Sequence, residues 1–132
     1  MLNLNRITLI GNTGGDAKTT PNGPTTISLA TNVSWTDKQT QERRTRTEWH
    51  HLVIWNGLGK WAATLPKGTP LFVEGELIYE ESPRKVQATV GKKTAEIEVL
   101  TRVAKVKVQR LIRLESAAQA QAESSDDTGD AQ

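Results

Sequence analysis

Two of the chain's four tryptophans and both of its histidines fall in one short segment, TEWHHLVIW (47–55). Alternation along a strand would divide this segment into two faces, and both of them carry apolar side chains. One face comprises Trp49, His51, Val53 and Trp55, and the other comprises His50, Leu52 and Ile54. A half-buried strand needs only one apolar face, so the indole-bearing face is available for a ligand. Indoles stack on flat ligands, and imidazoles bind metals or move protons, so both kinds of chemistry must be weighed.

Stacking explains the spacing of the indoles. Trp49 and Trp55 are six residues apart, which is roughly 20 Å at about 3.3 Å per residue. That is too far for the two rings to stack on each other, but it suits separate bases along one nucleic-acid strand. The preceding polar loop, 37–46, contributes four cations that could hold phosphates: Lys38, Arg43, Arg44 and Arg46. The alternative is that one ring packs in a subunit interface or under a loop.

The patterns for catalysis are weaker. His50 and His51 point to opposite sides of a strand and cannot share a metal. Glu74 and Glu76 share a face and could form an acid–base pair, which with His51 gives a metal-dependent hydrolase as the alternative function. Acids that flank a strand glycine are usually solvated, however. The glycine-rich GNTGGD (11–16) is followed by no Gly-Lys-Ser/Thr, so we predict no phosphate cradle. Taken with the weak histidine and glutamate patterns, this predicts no catalytic residue, no metal and no cofactor.

The charge is distributed unevenly. Residues 1–114 contain all 17 basic residues and 10 of the 15 acidic ones, which gives this part +7, while residues 115–132 carry −5. A basic body with an acidic tail indicates a polyanionic partner, although a soluble domain with a solvating tail would show the same pattern. There is no cysteine and no apolar run near the roughly 18 residues of a membrane span, so we expect a cytoplasmic protein.

Short strand-like runs separated by turn residues dominate the body. Five are predicted, at 6–10, 25–31, 47–55, 70–79 with a bend at Gly75, and 95–108 with a bulge near Val103. Residues 81–93 are predicted as a long hairpin loop with a possible short strand at 86–90. Tail residues 115–132 are predicted to be disordered, leaving 1–114 as one domain.

One helix is predicted between the third and fourth strands. Asn56 can cap it, and an apolar face at helical spacing follows, consisting of Leu58, Trp61, Ala62 and Leu65. This pattern places Trp61 in the core. The element order predicts an all-β, five-stranded oligonucleotide-binding (OB) barrel with one short helix between strands 3 and 4.

Four stretches then resemble one family, the bacterial-type single-stranded DNA-binding proteins. They are NRITLIGNTGGD (5–16), the run from ISLATNVSW to TEWHHLVIW (27–55), LPKGTPLFVEGEL (65–77) and KKTAEIEV (92–99). The resemblance spans residues 3–110. It implies sequence-independent binding and protection of single-stranded DNA during replication, recombination and repair, in a homotetramer associated with the nucleoid. A primosomal or RNA-binding relative on the same barrel is the alternative.

The resemblance also implies roles for individual residues. Trp35, Trp49 and Trp55 would stack on bases, and His51 would lie beside them on the DNA face. The basic positions implied to line the DNA path are Arg6, Lys38, Arg44, Lys67 and Lys92. His50 resembles a histidine near the subunit interface of the family.

Three features depart from the family pattern. A fourth stacking tryptophan is missing, with Tyr79 the nearby candidate. Trp35 shares parity with Ile27 and Leu29, so it faces DNA only if its strand bends. The tail ends without the family's hydrophobic tip, so recruitment of replication and repair proteins through the tail is predicted to be weak or absent.

Overall fold

The computed structural model describes residues 1–115, and the predicted acidic tail lies almost entirely outside this range. Six strands and one helix are formed. Their bounds are β1 Ile7–Thr13, β2 Lys18–Thr19, β3 Thr25–Thr36, β4 Arg43–Ile54, α1 Asn56–Ala63, β5 Pro70–Val90 and β6 Lys93–Arg113. Five of the strands are long, and α1 lies between the third and fourth of these.

The strands close into a barrel. Their order is β1-β5-β6-β4-β3, and β1 also pairs with β3, so the ring of long strands has no free edge. The short β2 adds to the outside of β3. All pairs are antiparallel except β4 with β6, which are parallel at Leu52–Val106 and Val53–Lys107. The predicted all-β barrel with one helix is confirmed.

Aliphatic side chains from every long strand and from α1 fill the barrel. The five largest of the fully buried side chains are Leu29, Leu52, Ile54, Leu71 and Val73. Leu52 and Ile54 therefore belong to the barrel, as their strand face predicts. No helix among residues 1–115 is long and apolar enough to cross a membrane.

Gly75 sits at the irregularity in the β5–β6 ladder. Glu74 pairs with Arg110 but Gly75 pairs with Val108, so β6 has one extra residue at this point. A Cβ on Gly75 would overlap the carbonyl oxygen of Lys107, so only glycine permits the approach. The bend predicted at Gly75 is confirmed, whereas the bulge predicted near Val103 is wrong, because Val103 pairs regularly with Glu80.

The predicted loop at 81–93 is wrong, because β5 and β6 continue there as a two-stranded arm beyond the barrel. The arm comprises residues 81–102 and ends in a two-residue turn, where Gly91 adopts a φ of 64°. Pro83 is tolerated because both strands of the arm are edge strands, where a missing N–H breaks no sheet interior.

The apolar side chains of β6 switch from one face of the strand to the other where the strand leaves the barrel. Val106 and Val108 point into the core, whereas Ile97 and Val99, of opposite parity, lie on the other face of the arm and are about half exposed. The parity change that suggested a bulge therefore marks the junction of barrel and arm.

Helix α1 differs from its prediction in two respects. Its N-cap is Trp55, without a side-chain cap, and Asn56 is instead its first residue, with a φ of 61°. Trp61 is 38% exposed rather than in the core. The cause is a close approach of the helix to the barrel: a Cβ on Gly59 would lie 2.5 Å from the carbonyl oxygen of Ile54, so the small residues Gly59 and Ala62 face the barrel.

Candidate nucleic-acid interface

Trp49 lies on β4 with its indole 53% exposed and packed against the loop that follows β1. A Cβ on Gly14 would be 3.0 Å from Cζ3 of this ring and 3.5 Å from Cβ of Ser28. Glycine at position 14 therefore lets the loop pass under the indole. The exposed part of the ring is accessible to a ligand.

The same loop fixes a second candidate residue. Gly15, with a φ of 72°, packs against the stem of Lys67, and a Cβ on Gly15 would be 2.7 Å from that of Lys67. Asp16 ties the loop to β3, because its carboxylate accepts hydrogen bonds from the Ser28 amide at 2.9 Å and the Ser28 hydroxyl at 2.6 Å. The glycine-rich GNTGGD segment thus supports Trp49 and Lys67, which brings the two predicted site residues to one loop.

His51 lies on the same face of β4 as Trp49 and is exposed. It lines a cavity of about 240 Å³ together with Asp16, Lys18 and Lys105. The Ser28 hydroxyl is the largest influence lowering the pKa of Asp16; burial opposes this effect, and the nearby His51 adds to it. This group of side chains is polar and open to solvent, which suits contacts with phosphate or base edges.

Trp55 directly follows β4, and its backbone is still extended, with φ −96° and ψ 157°. The strand alternation therefore reaches it, and its indole is 45% exposed. Val53, which lies on the same strand face between the two tryptophans, is only 4% exposed. The accessible part of the predicted ligand face therefore consists of Trp49, His51 and Trp55.

Trp35 lies on the other face of the β3–β4 ribbon. The pairing runs without a shift from Thr25–Ile54 to Thr36–Arg43, so Trp35 shares its face with its partner Arg44 and not with Trp49. This confirms that Trp35 has the same parity as Ile27 and Leu29. The ladder contains no register shift that would turn the ring to the face of Trp49. Trp35 is nevertheless 44% exposed, because this end of the ribbon extends past the core.

Tyr79 is also on the core-side parity of its strand, two residues beyond Leu77. The guanidinium carbon of Arg102 lies 4.5 Å from the centre of its ring. This cation–π contact occupies one face of the ring, so a base could stack only on the other. Tyr79 as a substitute for the missing tryptophan stays a prediction.

Two of the five predicted cations form ion pairs with carboxylates. Arg6 forms an ion pair with Glu74 at 2.7 Å, and Arg44 forms one with Asp37 at 3.0 Å. Such exposed pairs contribute only about 0–1 kcal/mol, so phosphate can displace them. The other predicted cations are exposed and form no ion pair with any described residue: Lys38, Lys67 and Lys92.

His50 is half-buried on the strand face opposite Trp49, and its Nε2 lies 2.8 Å from the hydroxyl oxygen of Thr31. Its predicted place at a subunit interface is not tested by one chain. The hydrolase alternative finds no support in the geometry. Glu74 binds Arg6, Glu76 accepts a hydrogen bond from Gln109 at 2.8 Å, and no cluster of three or more metal-ligating side chains occurs within residues 1–115.

A comparison with models of protein families matches residues 4–111 to the "Single-strand binding protein family". The chain belongs to this family. Single-strand binding proteins act by binding and not by catalysis, so the chain is not an enzyme. The family resemblance read from the sequence is confirmed, and the match includes β1 through most of β6.

Solved structures agree with the family. The chain is similar to a Plasmodium falciparum SSB in complex with single-stranded DNA, with a TM-score of 0.60 and 25% identity, covering 87% of this chain and 98% of that one. Two structures of the Thermus aquaticus single-stranded DNA-binding protein, a deletion mutant and the wild type, share the fold at 24% identity, with TM-scores of 0.58 and 0.57. This chain spans about half of each Thermus chain, at 53% and 52%, and 88% and 87% of this chain is covered.

Three lysines that line the surface cavities at His51 and Trp55 did not emerge from the sequence. Lys18 and Lys105 line the cavity at His51, and Lys60 lines a second one at Trp55. Lys18 and Lys60 lie in segments without another basic residue nearby, and Lys105 reaches the site through the parallel β4–β6 pairing. Only the alternation of Lys105 and Lys107 with core valines signalled a basic outer face on β6.

Proposed function

We propose that this protein binds single-stranded DNA without sequence preference and protects it during replication, recombination and repair. Bases stack on Trp49 and Trp55, and the surrounding lysines and arginines hold the phosphates. Stacking contributes about 1–3 kcal/mol per base, a range that comes from alanine substitutions in proteins of this type. We place the protein with the nucleoid, where its partner arises.

The observation that carries this proposal is the pair of indoles on one face of β4. Trp49 and Trp55 are 53% and 45% exposed, whereas the barrel interior is filled by aliphatic side chains. Two large rings held by a rigid strand and left open to solvent are the feature that sequence-tolerant binding requires, since every base has a π-face.

Salt dependence tests the electrostatic part of the proposal. Affinity for oligo-dT should fall with rising salt, with a log–log slope near −0.7 per phosphate neutralised. Replacing Arg43, Arg44 and Arg46 together with Ala should reduce the slope. An unchanged slope would place the first residues of β4 off the DNA path.

Competition with other nucleic acids tests the choice of ligand. Duplex DNA of equal length should compete poorly, because paired bases hide their faces from the indoles. Single-stranded RNA that competes better than DNA would instead support the RNA-binding alternative.

We further propose a homotetramer. An apolar row runs across the outer faces of three adjacent strands: Ile10 pairs with Phe72, and Phe72 pairs with Ile112. Ile10 is 62% exposed and Ile112 is 38% exposed, so this row supports burial against another subunit. Native mass spectrometry should give four chains, and Ile10→Asp should reduce that number.

A further inference from the structure

A surface cavity of about 530 Å³ opens beside Trp55. Its walls come from two segments that are far apart in sequence, namely the turn after β2 and the start of α1. Its lining includes Thr19, Thr20, Asn22, Trp55, Gly57 and Lys60. The volume lies within the roughly 300–1,000 Å³ of small-molecule sites, which is ample for one nucleotide.

We propose that this cavity is a subsite for one nucleotide of the bound strand, in which the base stacks on the Trp55 indole and the Lys60 ammonium group holds the phosphate. This inference rests on the proposed single-strand binding and names a residue, Lys60, that neither the sequence patterns nor the family resemblance indicated.

The charge of the lining favours a phosphate. Lys60 is the only charged residue among the residues that line the cavity. It also takes no part in the four ion pairs formed among residues 1–115. A phosphate would therefore meet a cation without displacing a carboxylate, unlike at Arg6 and Arg44.

The walls of the cavity are held in place before a ligand arrives. The turn opposite Trp55 is closed by a hydrogen bond from the Gly23 amide to the Thr20 carbonyl oxygen at 3.0 Å. On the helix side, a Cβ on Gly59 would lie 2.9 Å from the Thr25 hydroxyl oxygen, so α1 sits tightly against β3 at the residue before Lys60. A site that is already formed loses less entropy on binding.

The polar side chains of the lining are neutral and can hydrogen-bond to donors or acceptors. Thr19 and Thr20 carry hydroxyl groups, and Asn22 carries an amide, all of which can donate or accept hydrogen bonds. Such groups can adapt to the edge of any base, which fits a subsite in a protein that binds without sequence preference.

The test uses a reporter in which Trp55 is the only tryptophan, made by changing Trp35, Trp49 and Trp61 to Phe. Titration with oligo-dT should quench the emission of Trp55. Lys60→Gln in the reporter should reduce the magnitude of the log–log salt slope by about 0.7, which corresponds to about 5-fold weaker binding at 0.1 M salt. Lys85→Gln removes the same charge from the distant arm and should leave the quenching of Trp55 unchanged.

A second variant plugs the cavity. A Cβ on Gly57 would meet no atom within 4 Å, so Gly57→Leu places a side chain in open space and also raises helix propensity. It should fold normally and lose most of the Trp55 quenching, whereas Gly57→Ala should lose only a small part. Far-ultraviolet circular dichroism and thermal unfolding confirm that both variants fold.

The outcomes separate the two proposals. If wild type and reporter both fail to bind oligo-dT, the proposed function is wrong. If oligo-dT binds but neither Lys60→Gln nor Gly57→Leu changes the salt slope or the quenching, the subsite is wrong while single-strand binding stands. Free dTMP that quenches Trp55 at micromolar concentration in a Lys60-dependent manner would identify a free-nucleotide site and overturn the assignment to the strand.

Discussion

A methyl group added at Gly14 would lie 3.0 Å from Cζ3 of Trp49, so this indole rests on a residue that has no side chain. The glycine loop and the aromatic ring are therefore in close contact, and the ring is still 53% exposed. Asp16 ties the loop to Ser28 on β3.

Gly14→Val should therefore weaken binding through Trp49 without contacting DNA. The branched side chain must push the indole aside, which removes part of the roughly 1–3 kcal/mol that stacking contributes in proteins of this type. Oligo-dT titration at fixed salt measures the effect, and Gly14→Ala should give a smaller loss. Undiminished affinity in a folded Gly14→Val protein would show that the ring is not held by the loop.

Trp61 should behave as a surface residue. It is 38% exposed, so Trp61→Ala should destabilise the protein by less than the about 3–5 kcal/mol expected for a core ring. Leu52→Ala, at a position with no exposed surface, should cost about 2–5 kcal/mol and is the matched control. Chemical denaturation compares the two; a larger loss at Trp61 would mean that the exposed ring is covered in the assembled protein.

Acid should release the loop under Trp49. The folded-state pKa of Asp16 is lowered, chiefly by the hydrogen bond from the Ser28 hydroxyl, so its contribution to stability is fully present above the pKa of the unfolded chain and is lost as pH falls through the folded pKa. Wild type should be more stable than Asp16→Asn at neutral pH, and the difference should shrink at an acidic pH that protonates the carboxylate. Thermal unfolding at both pH values measures it, and a difference that persists in acid would contradict the assignment.

Removal of the arm should leave the barrel folded. None of the buried core residues lies within 81–102, and Glu80 pairs directly with Val103, so an uncharged Asn-Gly turn can join them. The shortened protein should retain its circular dichroism spectrum and bind oligo-dT with a smaller salt slope, because the deletion removes Lys92 together with the four other basic residues of the arm. A shortened protein with the full slope would remove Lys92 from the DNA path.

The barrel could be predicted from the sequence because its signals are local. Alternating apolar residues mark the strands, glycine at position 75 marks the bend, and the order of elements places one helix between the third and fourth long strands. Leu52 and Ile54 were assigned to the core on alternation alone, and both are fully buried.

The predictions are wrong where tertiary contacts determine the local structure. Apolar spacing placed Trp61 on the buried face of α1, but the close approach at Gly59 selects small residues for that face. Residues 81–93 contain Ser and Pro and read as a loop, yet pairing along 93–102 turns them into a strand. The cavity at Trp55 joins segments that are more than thirty residues apart in the chain, which no local pattern reveals.

The central claim is that Trp49 and Trp55 form the base-stacking surface. Its most direct test is an oligo-dT titration of the Trp49→Ala, Trp55→Ala double variant at the salt concentration used for wild type. The fluorescence anisotropy of labelled DNA reports the binding. The variant should fold like wild type and bind about 2–6 kcal/mol more weakly, the sum of two stacks in the range known for proteins of this type. A folded double variant that binds oligo-dT as tightly as wild type would contradict the account.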